Sequence, residues 1–206
     1  MICVSISQQN FIDCIEAIGK AKMAEIRIDL VKLSELELEK LFKLPIKTIA
    51  TCRIGYYSEN EIIKLLKLAI KSGAKFIDIE TELFENLKLE LTPFAQKYNT
   101  KIIISYHNFE KTPSQKELQK IIKNCFNQGA DIVKIACKSN SEKDNLRILD
   151  LYKFHTPIVA IGMGEIGKIT RVKAIEMGAP FTYASPKIGN KTAEGQIDYE
   201  TMKKLI

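Results

Sequence analysis

A repeated sequence unit constrains the fold of this chain more than any other feature. Each copy joins the end of a helical pattern to a Gly-Ala pair and then to a run of β-favouring residues, and copies recur about every 50 residues. The three clear copies begin at Gly73, Gly129 and Gly178, and a weaker copy begins at Met23. Glycine suits the end of a helix there, because the left-handed backbone conformation carries no Cβ penalty.

Further strand-like runs lie between these copies, and helical patterns separate neighbouring runs. Ser58 and Ser114 open two of the helical stretches, with Glu61 and Glu117 completing capping boxes. The remaining strand-like runs are Ile2 to Ile6, Lys47 to Cys52, Lys101 to Tyr106 and Pro157 to Ile161.

Strict alternation of strands and helices predicts an α/β protein with a parallel sheet. Eight units of about 26 residues each predict a closed (β/α)8 TIM barrel, with residues 1–206 forming one domain. The alternative is an open, doubly wound sheet. The sequence 7–10 after the first strand lacks the glycine-rich phosphate fingerprint of that class, so the barrel is favoured.

Composition excludes several kinds of partner. The net charge of +6 arises from 31 basic and 25 acidic residues, and most lysines fall on helical stretches. No basic cluster is interleaved with aromatic residues, so we expect no nucleic-acid partner. No apolar run approaches the roughly 18 residues that a membrane span needs, so we expect no membrane association.

The cysteines and the first residues indicate a compartment. Five cysteines, with no C-x-x-C pair among them, indicate reduced and buried thiols rather than disulfides or a zinc site. The chain opens directly on a strand-like run, without a basic region and a long apolar stretch, so we expect no signal peptide. We therefore expect a cytoplasmic protein.

Polar residues gather where the predicted strands end. A barrel places its catalytic groups at the carboxyl ends of its strands, where the active site lies. These strand-end residues are Glu25, Arg27 and Asp29, then Arg53, Asp78 and Glu80, Ser105 and His107, and finally Lys134.

Lys134 is the most informative of them. It lies between Val133 and Ile135 in a strand covered by helices outside and packed inside, so its charge must pair or serve chemistry. We expect neighbouring cations to favour its neutral amine, which can attack a carbonyl and form a Schiff base. His107 is the natural proton-transfer partner.

The same residues resemble a known family. The motifs, taken in order, resemble those of the type I 3-dehydroquinate dehydratases of the shikimate pathway over nearly the whole chain. The matching pieces are Glu25 to Asp29, Thr51 to Arg53, Ser105 to Phe109, Val133 to Ala136, Met163 with Arg171, and Thr192 to Gln196.

The resemblance implies a hydro-lyase that converts 3-dehydroquinate to 3-dehydroshikimate. It implies that Lys134 forms the imine with a small, anionic, cyclic substrate, and that His107 moves the protons. The implied reaction needs no metal and no organic cofactor, because the imine itself accepts the electrons. The residues implied in substrate binding are Ser5, Glu25, Arg27, Arg53, Arg171 for the carboxylate, and Thr192 and Gln196 from a lid loop.

Two departures from the family pattern stand out. The loop after Arg53 carries tyrosine where the family has an acid that supports the histidine, so we expect Glu59, or else Tyr57, to orient His107. Thr192 stands where the family commonly has serine, which keeps the hydroxyl.

Two other functions stay open from the sequence. One is a Schiff-base class I aldolase acting on a small sugar, which would also need a lysine on strand six. The other is a non-catalytic binding barrel. The sequence also leaves open the oligomeric state, with a homodimer as one option, and the choice between a biosynthetic and a catabolic role.

Overall fold

The computed structural model describes residues 1–187 and 190–206, and within these it shows eight strands that alternate with helices. The strands are β1 Ile2–Ile6, β2 Met23–Arg27, β3 Lys47–Thr51, β4 Phe76–Glu80, β5 Lys101–Asn108, β6 Ile132–Lys138, β7 Ile158–Met163 and β8 Thr182–Ala184. The helices are α1 Phe11–Ile18, α2 Glu35–Phe42, α3 Glu59–Lys71, α4 Thr81–Lys97, α5 Gln115–Asn127, α6 Glu142–Asp150, α7 Lys168–Glu176 and α8 Tyr199–Leu205, with a 3-10 turn at Leu151–Lys153.

All strand pairs in the sheet are parallel. The hydrogen-bonded order is β7-β6-β5-β4-β3-β2-β1-β8, so β1 to β6 each pair with the next strand in sequence and β8 pairs with β1. The sheet therefore curls into a nearly closed barrel, and the predicted (β/α)8 fold is confirmed.

Local sequence signals explain where the helices begin and which faces they bury. Ser58 and Ser114 each accept a hydrogen bond from the backbone of a glutamate three residues on, forming the predicted capping boxes. In α3 the buried residues follow helical spacing, and each fully buried leucine or isoleucine there contributes roughly 1.5–3 kcal/mol. These buried residues are Ile62, Ile63, Leu66, Ala69 and Ile70.

Two separate hydrophobic clusters follow from the alternation of strand side chains. Outward-facing residues such as Ile77 and Ile135 pack against the helices in one cluster. Inward-facing residues such as Phe76 and Ile132 fill the interior of the barrel in the other. Asp78 and Lys134 lie two residues after Phe76 and Ile132 on the same strands. A layer of polar side chains therefore lies directly above a layer of apolar ones inside the barrel.

Two further findings concern the thiols and the membrane. All five cysteines are buried and free, as predicted. In the described ranges, we find no helix with the length and apolar character that crossing a membrane requires.

Candidate active site

A cavity of about 340 Å³ opens at the carboxyl ends of the strands. The side chains predicted from the sequence as site residues all line this one cavity. They are Ser5, Glu25, Arg27, Arg53, His107, Lys134, Arg171, Thr192 and Gln196. Strand alternation and the curvature of the barrel thus bring together residues from β1, β2, β5 and β6, from the loop after β3, from α7 and from the loop before α8.

Lys134 lies near the base of the cavity and is only 5% exposed. Its Nζ lies 3.0 Å from Asp78 Oδ2 and 3.5 Å from Glu25 Oε1. The ammonium also sits 4.2 Å from the centroid of the Tyr183 ring, within the range of a cation–π interaction. The expectation that neighbouring cations surround this amine is therefore wrong, because its contacts are carboxylates and an aromatic face.

Asp78 connects the charged groups of the barrel interior. Its Oδ1 accepts hydrogen bonds from Ser105 Oγ at 2.6 Å and from Arg53 Nη1 at 3.0 Å. Burial raises the pKa of Asp78, but Arg53 and Lys134 lower it by more, so the net pKa lies well below its ordinary value. Asp78 is therefore a permanent anion between two cations.

The substitution Asp78→Asn is expected to destabilise the fold strongly. It preserves the shape of the side chain but leaves Arg53 and Lys134 without their shared counter-ion. Loss of one partner of a buried ion pair costs about 3–5 kcal/mol, measurable as a lower free energy of unfolding in urea.

Because the folded pKa of Asp78 lies below its unfolded value of about 3.9, its stabilisation is present above about pH 4 and is lost as pH falls towards the folded pKa.

A matched control for this change is Glu35→Gln. Glu35 forms an exposed ion pair with Lys64, and such pairs contribute roughly 0–1 kcal/mol. An Asp78→Asn protein no less stable than the Glu35→Gln protein would contradict the assigned role of Asp78.

Glu25 forms the other wall of the lysine pocket. Its Oε2 accepts a hydrogen bond from Ser5 Oγ at 2.7 Å, and its Oε1 accepts one from Thr51 Oγ1 at 3.0 Å. Burial raises the pKa of Glu25, while Lys134 and Arg27 lower it more, so the net pKa is lowered. Arg27 itself donates twice to Asp29, from Nε at 3.0 Å and from Nη2 at 2.6 Å, which fixes its guanidinium at the rim.

His107 lies on β5, one strand from Lys134, and its ring stacks on Phe109 with centroids 6.0 Å apart. Its Nδ1 lies 3.3 Å from Glu80 Oε1, but that approach is not aligned as a hydrogen bond. Burial lowers the pKa of His107 most strongly, and Arg53 and Lys134 add to the effect, against Glu80 and Asp78, which raise it. The imidazole is therefore neutral near pH 7 and able to accept a proton.

The expected partners of His107 lie elsewhere. Glu59 is the exposed first residue of α3 and accepts a hydrogen bond from Asn86 Nδ2 at 2.8 Å. Tyr57 packs against the hydrophobic cluster beneath the helices. Because Ser58 caps α3, the chain enters the helix at this point and Glu59 belongs to the helix surface. The carboxylate beside the imidazole is that of Glu80, which the sequence placed only among the polar residues at the strand ends.

Arg171 projects from α7 and is 1% exposed. Its Nε donates to the Gly195 carbonyl oxygen at 3.1 Å and its Nη2 to the Glu194 carbonyl oxygen at 3.4 Å. No carboxylate among the described residues lies within ion-pair distance of it. Burial lowers the pKa of Arg171 to about 10, which still leaves a cation at neutral pH with its counter-charge missing.

The loop 192–196 covers one side of the cavity and is held at several points. Gln196 Nε2 donates to Thr192 Oγ1 at 2.9 Å, and the Thr192 backbone nitrogen donates to Gln196 Oε1 at 2.8 Å. Glu194 also pairs with Lys138 at the end of β6. These contacts fold the loop over the carboxyl ends of β6 and β7.

Sequence reasoning missed two residues of the site, Tyr183 and Glu80 as a neighbour of His107. Tyr183 faces inward from β8, with its hydroxyl buried and without a hydrogen-bond partner among residues 1–187 and 190–206. The available signal was the alternation of Phe181 and Tyr183, which places both on the inner face of the last strand. The described residues also hold no group of three or more His, Cys, Asp or Glu side chains arranged to bind a metal.

Comparisons with known proteins agree with this geometry. The family model described as type I 3-dehydroquinase matches residues 2–206. The 3-dehydroquinate dehydratase of Methanococcus maripaludis is 40% identical over 218 residues, covering 100% of this chain and 98% of that protein. That of Methanocaldococcus jannaschii is 41% identical over 217 residues, covering 100% and 97%.

Solved structures give the same result. The 3-dehydroquinate dehydratase of Aquifex aeolicus has a TM-score of 0.86 at 29% identity, covering 100% of this chain and 96% of that one. The type I enzyme of Clostridium difficile, determined with covalently modified comenic acid, has a TM-score of 0.87 at 26% identity, covering 99% and 90%. Since the match extends along the whole barrel and the motifs meet in one cavity, the chain belongs to the type I 3-dehydroquinase family, as the sequence motifs indicated.

Proposed function

We propose that this chain is a 3-dehydroquinate dehydratase that removes water from 3-dehydroquinate through a Schiff base on Lys134. Family membership supports the reaction. The observation that supports the mechanism is the placement of the Lys134 amine and the His107 imidazole in one buried cavity, on adjacent strands and each beside acidic groups. The proposal takes residues 1–206 as the catalytic domain of a cytosolic enzyme.

The first half of the reaction forms the imine. Lys134 reacts as its neutral amine after its proton has passed to solvent, while Asp78 and Glu25 stay ionised beside it, and the amine attacks the ring ketone. The carbonyl oxygen then leaves as water, and a carbon–nitrogen double bond replaces it. The protonated imine withdraws electrons from the neighbouring carbon and makes its C–H bond acidic, so no cofactor is needed.

The second half eliminates water from the ring. Neutral His107 takes the proton from the carbon beside the imine, and the electron pair of that bond moves into the imine as an enamine. The enamine returns the pair and expels the hydroxyl group, which His107 protonates so that it leaves as water. A water molecule then hydrolyses the conjugated imine and restores the Lys134 amine.

The cavity has the chemistry to hold a small, anionic, cyclic substrate. The substrate carboxylate supplies the missing counter-charge of Arg171, whose planar guanidinium suits a bidentate pair. The ring hydroxyls of the substrate form hydrogen bonds with the polar groups of the opposite wall, and the loop 192–196 excludes water from above. Those polar groups are Ser5, Glu25, Arg27 and Arg53, with Thr192 and Gln196 on the loop.

Arg171→Ala is expected to weaken substrate binding. The carboxylate contact exists in both the ground state and the transition state, so its loss raises KM more than it lowers kcat. A charge-assisted pair contributes about 1.5–3 kcal/mol, or roughly ten- to two-hundred-fold in affinity. Steady-state kinetics measure this, with Lys173→Ala as a control because Lys173 is exposed on the same helix and pairs with Glu176. An Arg171→Ala enzyme with the KM of wild type would show that another group anchors the carboxylate.

The experiment that tests the proposed function is a direct assay. Purified protein mixed with 3-dehydroquinate should produce the ultraviolet absorbance of a conjugated enone. A protein that binds the compound without producing that absorbance would be a binding barrel. One that leaves it unchanged but cleaves a small sugar would be an aldolase. Either result would refute the proposed function.

A further inference from the structure

The carboxylate beside the proposed general base comes from strand β4. Glu80 Oε1 lies 3.3 Å from His107 Nδ1, and the same oxygen lies 3.7 Å from Arg53 Nη1. The loop after β3 supplies no such group, since Tyr57 packs on the hydrophobic cluster and Glu59 bonds to Asn86.

We propose that Glu80 is the positioning residue of His107, holding its Nδ1 so that Nε2 faces the substrate. This inference rests on the proposed function, in which His107 moves the protons. The Glu80–His107 approach is close but not aligned as a hydrogen bond, and such contacts commonly tighten when the reacting complex forms.

The fold keeps the Glu80 side chain at this place. Glu80 ends β4 and is also the N-cap of α4, yet its carboxylate makes no capping hydrogen bond and remains available to the cavity. In the sheet it pairs with Ser105, two residues before His107 on the same inward face of β5. The Arg53 guanidinium is held in the barrel interior by its hydrogen bond to Asp78. From there it attracts the Glu80 carboxylate towards the cavity.

The charges around His107 give this role a measurable signature. Glu80 and Asp78 of β4 raise the pKa of the imidazole, while burial, Arg53 of β3 and Lys134 of β6 lower it. The base must be neutral to act, so activity falls as pH drops through its pKa. Removal of the Glu80 charge lowers that pKa further, so the acid limb of the profile of kcat/KM against pH moves to lower pH.

The test compares Glu80→Gln, Glu80→Asp and Glu80→Ala with wild type. Glu80→Gln is expected to lower kcat about ten-fold, part of the 10²–10⁴-fold that general-base catalysis typically contributes, with KM nearly unchanged. The acid limb should shift to lower pH, Glu80→Asp should recover part of the rate, and Glu80→Ala should lose more. Borohydride added with 3-dehydroquinate should still trap an adduct in every variant.

Two carboxylates serve as matched controls. Glu82→Gln changes an exposed acid in the first turn of α4, and Glu59→Gln changes the acid first expected to orient His107. Both should keep the wild-type rate and the wild-type acid limb.

Several outcomes would overturn the inference. One is a wild-type rate and an unshifted acid limb in both Glu80→Gln and Glu80→Ala. Another is a change in KM with kcat unaffected. A third is an equal loss of kcat in Glu59→Gln. Failure of the proposed function has a different signature, since the wild-type enzyme itself would then give no enone or no adduct. A Glu80 variant that melts like wild type but turns over slowly excludes a purely structural role.

Discussion

Lys134→Ala and Lys134→Arg are expected to abolish turnover and to prevent any borohydride-stable adduct with 3-dehydroquinate. The alanine variant lacks the amine, and the guanidinium of the arginine variant stays protonated and cannot attack a ketone. The turnover number should fall by about 10⁴-fold or more, since removal of a covalent nucleophile typically costs at least that much.

The arginine variant also separates chemistry from folding. Lys134 neutralises Asp78 and Glu25, so the alanine variant leaves two buried carboxylates with one cation fewer and should unfold at lower urea concentration. Arginine keeps the positive charge and should restore much of that stability without restoring activity. Mass mapping should place the wild-type adduct on Lys134. An adduct on any other lysine would refute the assignment.

His107→Ala is expected to stop turnover at a later step. The attack belongs to Lys134, so this variant should still form the imine, which borohydride should trap, while product never accumulates. The loss should be about 10²–10⁴-fold in turnover number, the usual contribution of a general acid–base group.

The His107→Ala experiment needs both the borohydride-trapped adduct and the turnover number as readouts. Phe109→Leu serves as a matched control, because it removes the ring stacked on the imidazole but leaves the base itself in place. If His107→Ala fails to form the adduct, His107 acts before imine formation. If the variant turns over at the wild-type rate, another group is the base.

Much of this protein could be predicted from local sequence. The Gly-Ala pairs mark where helices end and strands begin, and the capping boxes at Ser58 and Ser114 mark where two helices start. Alternation within a strand has a fixed period of two, so Asp78 and Glu80, or Lys134 and Ala136, necessarily share the inner face. The barrel and its ring of strand-end side chains follow from these short-range rules.

The partners within that ring could not be read from the chain. Lys134 and Asp78 are 56 positions apart and meet only because β4 and β6 flank β5 in the curved sheet, so the sequence led to an expectation of cations around the amine where the structure has acids. His107 likewise faces Glu80 across one strand pair, although the loop acid Glu59 was the expected partner. The motifs pointed to Arg171, but its burial under the loop 192–196 follows only from the fold.

The difference between the features predicted from sequence and those set by the tertiary structure has a simple physical basis. Backbone propensity, capping and side-chain alternation act over a few residues and are therefore encoded locally. The protonation state of His107 depends instead on its burial and on charged side chains of neighbouring strands, and the surroundings of Lys134 depend on side chains that approach to about 3–4 Å from different strands. Strand register and barrel closure set those distances, so only the tertiary structure decided which acid faces which base.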